Sequence, residues 1–308
     1  MKKANAISQK KILSKIFSER YTFCPLCGSA KITHRYHIDR YSLKFDIDIC
    51  ENCKFMFMNP EFKFSVIKNF YTEHYFKGSA DYSYIDERDT KKYSRYVWDK
   101  RIQVIRKYID GGNFLDIGCS FGGLLESAAE FYTPFGIEIS DYAYSQIPNQ
   151  LKLNIHHGTL YNHNFKYKSF SVITMIELIE HLADPVYAIL ECFDLLQKNG
   201  VLVIQTANMN GKQARDLGSD YEYFMPGHLS YFTAGNLSFL LKKAGFEKIK
   251  IYYPVEFGLL PKLLKSRGSF KNISDYKSWL KIISYHLKSK IHLGNFAMTS
   301  SMVIYAVK

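Results

Sequence analysis

The chain has 308 residues, 47% hydrophobic and 23% charged, with a net charge of +12, a composition that suits one large globular domain plus a small one. With 23 Phe, 24 Tyr and only 8 Pro, disordered, collagen-like and low-complexity chains are excluded. No apolar run approaches the roughly 18 residues of a membrane span, and Met1 to Arg20 lacks the apolar stretch of a secretory signal, so a cytoplasmic protein is expected.

In a reducing compartment the six Cys point to metal ligation or bystander thiols rather than disulfides. Cys24-Pro-Leu-Cys27 and Cys50-Glu-Asn-Cys53 form two C-x-x-C knuckles separated by 22 residues. Between them Ile32, His34, Tyr36 and Ile38, then Tyr41, Leu43, Phe45, Ile47 and Ile49, alternate with polar residues, which predicts a β-hairpin. The hairpin returns the second knuckle to the first, so Cys24, Cys27, Cys50 and Cys53 can surround one structural Zn²⁺. Residues 1–60 are therefore expected to be a β zinc-ribbon module. All four ligand positions hold thiols, so this zinc is assigned no chemistry.

Residues 61–110 are expected to be a helical linker and cover. Trp98, Ile102, Ile105 and Ile109 recur at helical spacing up to Gly111-Gly112. From residue 111 strands and helices alternate. Strands are predicted at 113–117, 134–139, 153–156, 170–176, 201–206, 248–253 and 302–307, with helices to about Phe131 and at 185–197 and 234–244. The expected fold is α/β: a seven-stranded, doubly wound, mostly parallel sheet over 111–308, with an insertion at 254–298.

The turn after the first of these strands reads Leu115-Asp116-Ile117-Gly118-Cys119-Ser120-Phe121-Gly122-Gly123. Small residues there let backbone N–H groups at a helix start approach a ligand. Gly118-Cys119-Ser120-Phe121-Gly122 matches the G-x-S-x-G hydrolase elbow. Gly118, Ser120 and Gly123 sit where a dinucleotide fingerprint places its glycines, and Asp116 with Gly118, Ser120 and Gly122 resembles the D-x-G-x-G-x-G pattern of a methyl-donor site, Ser120 standing in for the middle Gly. Glu138 lies 20 residues after Gly118, at the end of the second strand. A carboxylate there can accept ribose hydroxyls, which suits a nucleoside cofactor and has no role in a hydrolase. Asp116 favours S-adenosyl-L-methionine over nicotinamide, because the methyl donor carries an ammonium and a sulfonium. Charge agrees: residues 111–250 hold 10 Lys+Arg against 14 Asp+Glu, while 1–110 hold 22 against 13 and 251–308 hold 9 against 2. Nucleic-acid binding is disfavoured by that split.

On these residues the chain resembles the class I S-adenosylmethionine-dependent methyltransferases. Ile176-Glu177-Leu178-Ile179-Glu180-His181, Pro226-Gly227-His228-Leu229-Ser230-Tyr231-Phe232-Thr233 and the Leu-Leu-Lys-Lys-Ala-Gly-Phe run at 240–246 are similar to the ubiquinone-type and surface-sugar members. The four-Cys module resembles that of sugar C-methyltransferases. The resemblance implies that Asp116, Gly118, Cys119, Ser120 and Gly122 surround the methionyl part of the donor, and Glu138 its ribose. It places Thr159 and Leu160 beside adenine, and Ile176 and Glu177 at the donor methyl. His228 is the first candidate base, with His181 second. Gly227 stands where the C-methyltransferases carry Glu, so O-methylation is favoured.

The expected activity is O-methylation of a sugar or sugar nucleotide in surface-glycan biosynthesis. The alternatives are a sugar C-methyltransferase, an RNA methyltransferase using the zinc ribbon, and a catalytically silent binding module. Glu177, Glu180 and His181 could hold a second divalent metal, but the preferred reading is that Glu180 and His181 cap or position the next helix, which starts at Asp184-Pro185. In the insertion Tyr276, Leu280, Ile283, Leu287 and Ile291 share a helical face with Lys277, Lys281, Lys288 and Lys290 elsewhere around it. That pattern is compatible with peripheral contact at an anionic membrane, and a packed lid with a solvated Lys face is preferred. The sequence leaves the oligomeric state open.

Overall fold

A computed structural model describes residues 15–77, 86, 88–253 and 256–308; residues 1–14, the start of the expected 1–60 module, lie outside the described residues. The hairpin forms where alternation predicts it, as β1 (Ile32–Arg40) and β2 (Leu43–Cys50). β3 (Met56–Met58) adds antiparallel to β2. Its outer edge does not face solvent.

The central domain is built from β4 (Asn113–Ile117), β5 (Thr133–Glu138), β6 (Ile155–His157), β7 (Phe170–Ile176) and β8 (Leu196–Ala207), then β9 (Ser230–Tyr231), β10 (Lys248–Tyr252), the small hairpin β11 (His292–Leu293) and β12 (Phe296–Ala297), and β13 (Ser301–Val307). Seven of these form one sheet in the order β10-β13-β8-β7-β4-β5-β6. β4 to β8 are parallel, and β13 and β10 return antiparallel. β8 starts at Leu196, five residues earlier than its predicted start. The helix before it therefore ends at Leu195 instead of Gln197.

The main helices are α1 (Lys91–Ile105), α2 (Gly123–Ala128), α3 (Pro185–Leu195), α4 (Ala234–Ala244), α5 (Leu259–Ser266) and α6 (Ser278–Lys288). Successive strand residues point to opposite faces, and both faces are covered. Leu115, Ile173, Met175 and Ile204 pack with Ile189, Cys192, Leu237 and Leu241 of α3 and α4. Phe114, Val172 and Val203 pack with Ile102, Ile105, Leu124 and Leu125 of α1 and α2. Each such fully buried Leu or Ile contributes about 1.5–3 kcal/mol relative to exposure. That alternation makes the sheet doubly wound, the Rossmann-like arrangement expected from the sequence.

The amino-terminal sheet is completed from the other end of the chain. β9 pairs with β3, Met56 opposite Tyr231 and Phe57 opposite Ser230, and the Met58 N–H donates to Leu229 at 2.9 Å. Phe55 and Phe57 share a core with Ile179 and Phe232. The four-Cys region is thus welded to the segment that carries His228, and the boundary drawn at residue 60 is crossed by one continuous sheet.

Candidate active site

The turn between β4 and α2 is shaped by backbone conformations that side chains resist. Gly118 and Gly122 have φ of 76° and 80°, and Ser120 takes φ 49°. Gly123 is needed for a different reason: a Cβ there would lie 2.3 Å from the Trp98 ring. Close contact with α1 thus closes one wall of the loop. Cys119 turns its side chain into the core beside Gly136, so only its backbone is offered to the site.

A cavity of about 310 Å³ opens against this loop, lined by Asp116, Gly118, Cys119, Ser120, Trp98 and Ile176 among others. Arg88, Lys91 and Arg101 line it as well; the sequence reading assigned none of them a role. Arg101 is buried, donates to Glu256 at 2.6 Å and to Gln205, and Glu256 accepts from the Tyr305 hydroxyl at 2.6 Å. Such a pair is held by its full set of hydrogen bonds, since removing one partner strands a buried charge. No spacing in the sequence links residues 101 and 256, so this cation could not be found there.

The two acids singled out in the sequence flank the loop. Glu138 is buried; it accepts from the Ser120 N–H at 2.8 Å and the Ser140 N–H at 2.7 Å, one on each carboxylate oxygen. Each oxygen retains a lone pair for a further donor. Asp116 accepts from the Thr174 hydroxyl at 2.5 Å, and burial pushes its pKa up to about 7. Glu177 stands at the end of β7 with φ 51° and accepts from Gln205 at 2.6 Å. Burial, and then the neighbouring Glu180, raise its pKa to about 8. Two carboxyls held near their ionisation point favour a cationic ligand. The hydroxyl oxygen of Ser120 is buried without a hydrogen-bond partner. An orphaned polar atom, three acids and a loop of backbone N–H groups fit a cationic nucleoside donor.

On the adenine side, the Thr159 hydroxyl and N–H bond to Asn162 at 3.0 and 2.8 Å. Leu160 buries its side chain in the core. Phe76 packs on Phe121 and Tyr142 beside the loop. The Ser140 hydroxyl donates to the Tyr71 carbonyl at 2.9 Å, which ties the segment before α1 to the turn after β5.

Next to the carboxyl end of β7 lies a second cluster. His228 is buried, and its Nδ1–H donates to the Tyr223 carbonyl at 2.8 Å. Nδ1 of His181 lies 2.8 Å from the Gly227 carbonyl and 2.9 Å from the Tyr71 hydroxyl. A carbonyl only accepts, so both rings carry their proton on Nδ1 and leave Nε2 as a lone pair. The two rings meet edge to face at 4.5 Å. Burial holds both neutral, with His181 lowered to about 4. Glu180 accepts from Tyr223 at 2.6 Å and Thr206 at 3.0 Å. The capping half of the expectation for Glu180 and His181 is corrected: Asp184 caps α3 by accepting from the Tyr187 N–H at 2.8 Å, while Glu180 is fully buried against Tyr223 and Thr206 and His181 packs on His228. Ligand atoms of Glu180, His181 and His228 lie within 4.8 Å of one another. His228, rather than Glu177, completes that trio.

The four knuckle thiols also converge, with Cys24 Sγ 3.7 Å from Cys53 Sγ and Cys27 Sγ 3.6 Å from Cys50 Sγ. Tetrahedral Zn–S bonds of about 2.3 Å require S···S spacings close to these.

Residues 90–251 match the family described as "Methyltransferase domain". Over 168 residues the chain is 29% identical to the ubiquinone biosynthesis O-methyltransferase of Neisseria meningitidis serogroup C, covering 46% of this chain and 71% of that protein. The enzyme of the same name from Dinoroseobacter shibae is 29% identical over 156 residues, 45% of this chain and 61% of its own length. Among solved structures, phosphoethanolamine N-methyltransferase 2 of Haemonchus contortus in complex with S-adenosyl-L-methionine superposes with a TM-score of 0.52 at 14% identity. That match spans 98% of this chain and 73% of the other. The last likeness is one of fold.

Proposed function

The chain belongs to the methyltransferase-domain family, as a class I S-adenosylmethionine-dependent enzyme, and from that premise we propose that it methylates a hydroxyl oxygen of a small acceptor, namely a sugar or sugar nucleotide in surface-glycan biosynthesis. The observation that carries O-methylation is the pair of buried, neutral imidazoles at the carboxyl edge of the sheet, each with Nδ1 spent on a carbonyl and Nε2 free to take a proton. The sugar acceptor rests on the resemblance of residues 226–246 and the four-Cys module to sugar methyltransferases.

When bound, the donor supplies an electrophilic methyl. The backbone of 118–122 and Asp116 hold the methionyl part, and Glu138 accepts from the ribose. Methyl transfer needs an acceptor oxygen about 3 Å from the methyl carbon and in line, so positioning supplies much of the rate. His228 takes the hydroxyl proton on Nε2, and its Nδ1–H bond to Tyr223 stabilises the imidazolium that forms. His181 packs against that ring and orients it. Cys24, Cys27, Cys50 and Cys53 hold a zinc ion that staples the first knuckle to the hairpin, which through β3 and β9 fixes the loop bearing His228.

A second reading of the same cluster is favoured by the convergence of Glu180, His181 and His228 within 4.8 Å. A divalent cation held there would acidify the acceptor hydroxyl without a protein base. Replacing His228 by Asn tests both. With sugar nucleotides as acceptors and the donor methyl labelled, O-linked label is expected, and kcat falls by about 10²–10⁴-fold at unchanged donor affinity. Stimulation of wild-type turnover by added Mg²⁺ or Mn²⁺ would select the metal reading. Label on carbon would overturn O-methylation, and label on added RNA with none on sugars would overturn the acceptor.

A further inference from the structure

The insertion between β10 and β13 is anomalous for a soluble surface. Of the 19 exposed large apolar side chains among the described residues, eight lie between Leu260 and Leu293. They concentrate on the element expected to be a packed lid. α6 does pack on one side: His286 is buried, and Trp279 Nε1–H donates to Ser266 of α5 at 3.0 Å. The side about 100° round the helix from that packed line is left uncovered. Leu280 is 70% exposed and Leu287 57%, and Ile273, in the turn leading into α6, is 90% exposed. Leu280 and Leu287 are seven residues apart, two helical turns, so they lie on one line. Lys281 and Lys288 follow them by one residue and form a parallel exposed row about 100° round the helix.

Charge decides what such a face can meet. Asp275 is the only acid between residues 257 and 308, and its carboxylate is occupied by the N–H groups of Lys271 and Asn272 at 2.6 and 2.8 Å. Beside the apolar row lies an open bowl of about 450 Å³ lined by Lys271, Lys277 and Lys281 with Ser269, Ser274, Ser278 and the single acid Asp275. A second copy would bring like charge against like. A nucleic acid would satisfy the lysines and leave Leu280 and Leu287 in water. An anionic bilayer surface satisfies both: acyl boundary for the leucine row, phosphate headgroups for the lysines and the serine bowl.

We infer that the outward face of α6, with the turn at Ile273 and the lysine bowl beside it, docks the protein on anionic lipid. No helix among the described residues is long and apolar enough to cross a membrane, so the contact is one of lying on the surface.

The test is co-sedimentation of the full chain with vesicles of phosphatidylcholine alone and of equal parts phosphatidylcholine and phosphatidylglycerol. Binding to the second and not the first is expected, and it weakens as the Debye length falls from about 30 to 8 Å with added salt. Reversal of Lys277, Lys281 and Lys288 to Glu lowers partitioning by at least about a hundredfold. Leu280→Asp with Leu287→Asp lowers it by about tenfold or more. Leu153→Asp, at a residue 91% exposed on the opposite edge of the sheet, changes nothing. Light scattering and S-adenosylmethionine affinity confirm that each variant is folded. Failure to bind phosphatidylglycerol vesicles at low salt overturns the inference. So does binding unaltered by the Leu280/Leu287 double substitution. So does a vesicle-free dimer that this substitution dissociates, which would give the face to a second copy.

Discussion

The proposed donor side and the proposed acceptor side are built in opposite ways. On the donor side, Asp116 to Gly123 are contiguous, and Glu138 returns after a single helix to close its carboxylate on the loop's own Ser120 N–H. On the acceptor side, Glu180, His181 and His228 come from two distant loops, brought together by Tyr223, by the Gly227 carbonyl and by the Leu229 N–H donating to the Glu180 carbonyl at 2.8 Å. The donor side is local chain geometry, whereas the acceptor side is tertiary packing. Damage to the first should appear in cofactor affinity, and damage to the second in turnover and acid stability.

The largest effect that would separate them is at Glu138. Glu138→Ala removes an acceptor of two backbone N–H groups and of the proposed ribose contact. Donor affinity should fall on the order of 10²-fold or more by calorimetry. Glu138→Gln, which keeps the shape, should recover part of that loss. Unchanged affinity in both would mean the ribose lies elsewhere.

Next comes acid stability. The folded pKa of His181, about 4, lies below the ordinary 6.5, so between those values the unfolded chain binds more protons than the folded one. Stability is then full above pH 6.5 and falls as pH drops towards 4, by up to about 3 kcal/mol from this residue. Denaturation midpoints should trace that slope, and His181→Gln should flatten it. A metal at the cluster would steepen it, and prior chelation would restore the shallower curve.

The smallest effect is protonic. Asp116 and Glu177, held near 7 and 8, should ionise when a sulfonium arrives. S-adenosylmethionine binding at pH 7 should therefore release up to about 1.4 protons, and S-adenosylhomocysteine, without that charge, fewer. Calorimetry in buffers of different ionisation enthalpy measures the difference. Equal release for both ligands would detach these acids from the sulfonium.

The positions of the seven sheet strands, the loop, the thiol knuckles and the amphipathic insertion were all legible in the chain, because each is a periodicity or a short spacing. His228 and His181 were also picked out, but separately and by resemblance. That their rings touch, and that Glu180 joins them while Asp184 does the capping, could not be read from spacing. The buried Arg101–Glu256 pair and the uncovered side of α6 were equally hidden. Alternation says that a helix is two-sided, but not which side finds a neighbour.

The sequence alone determined the doubly wound sheet and the donor loop, since hydrophobic period and backbone sterics act within a few residues. Only the tertiary structure decided the convergence of Glu180, His181 and His228 and the pairing of β3 with β9 beside it. Contacts between residues 46 positions apart in the cluster and 175 apart between β3 and β9 depend on how whole layers stack, and no local pattern encodes that.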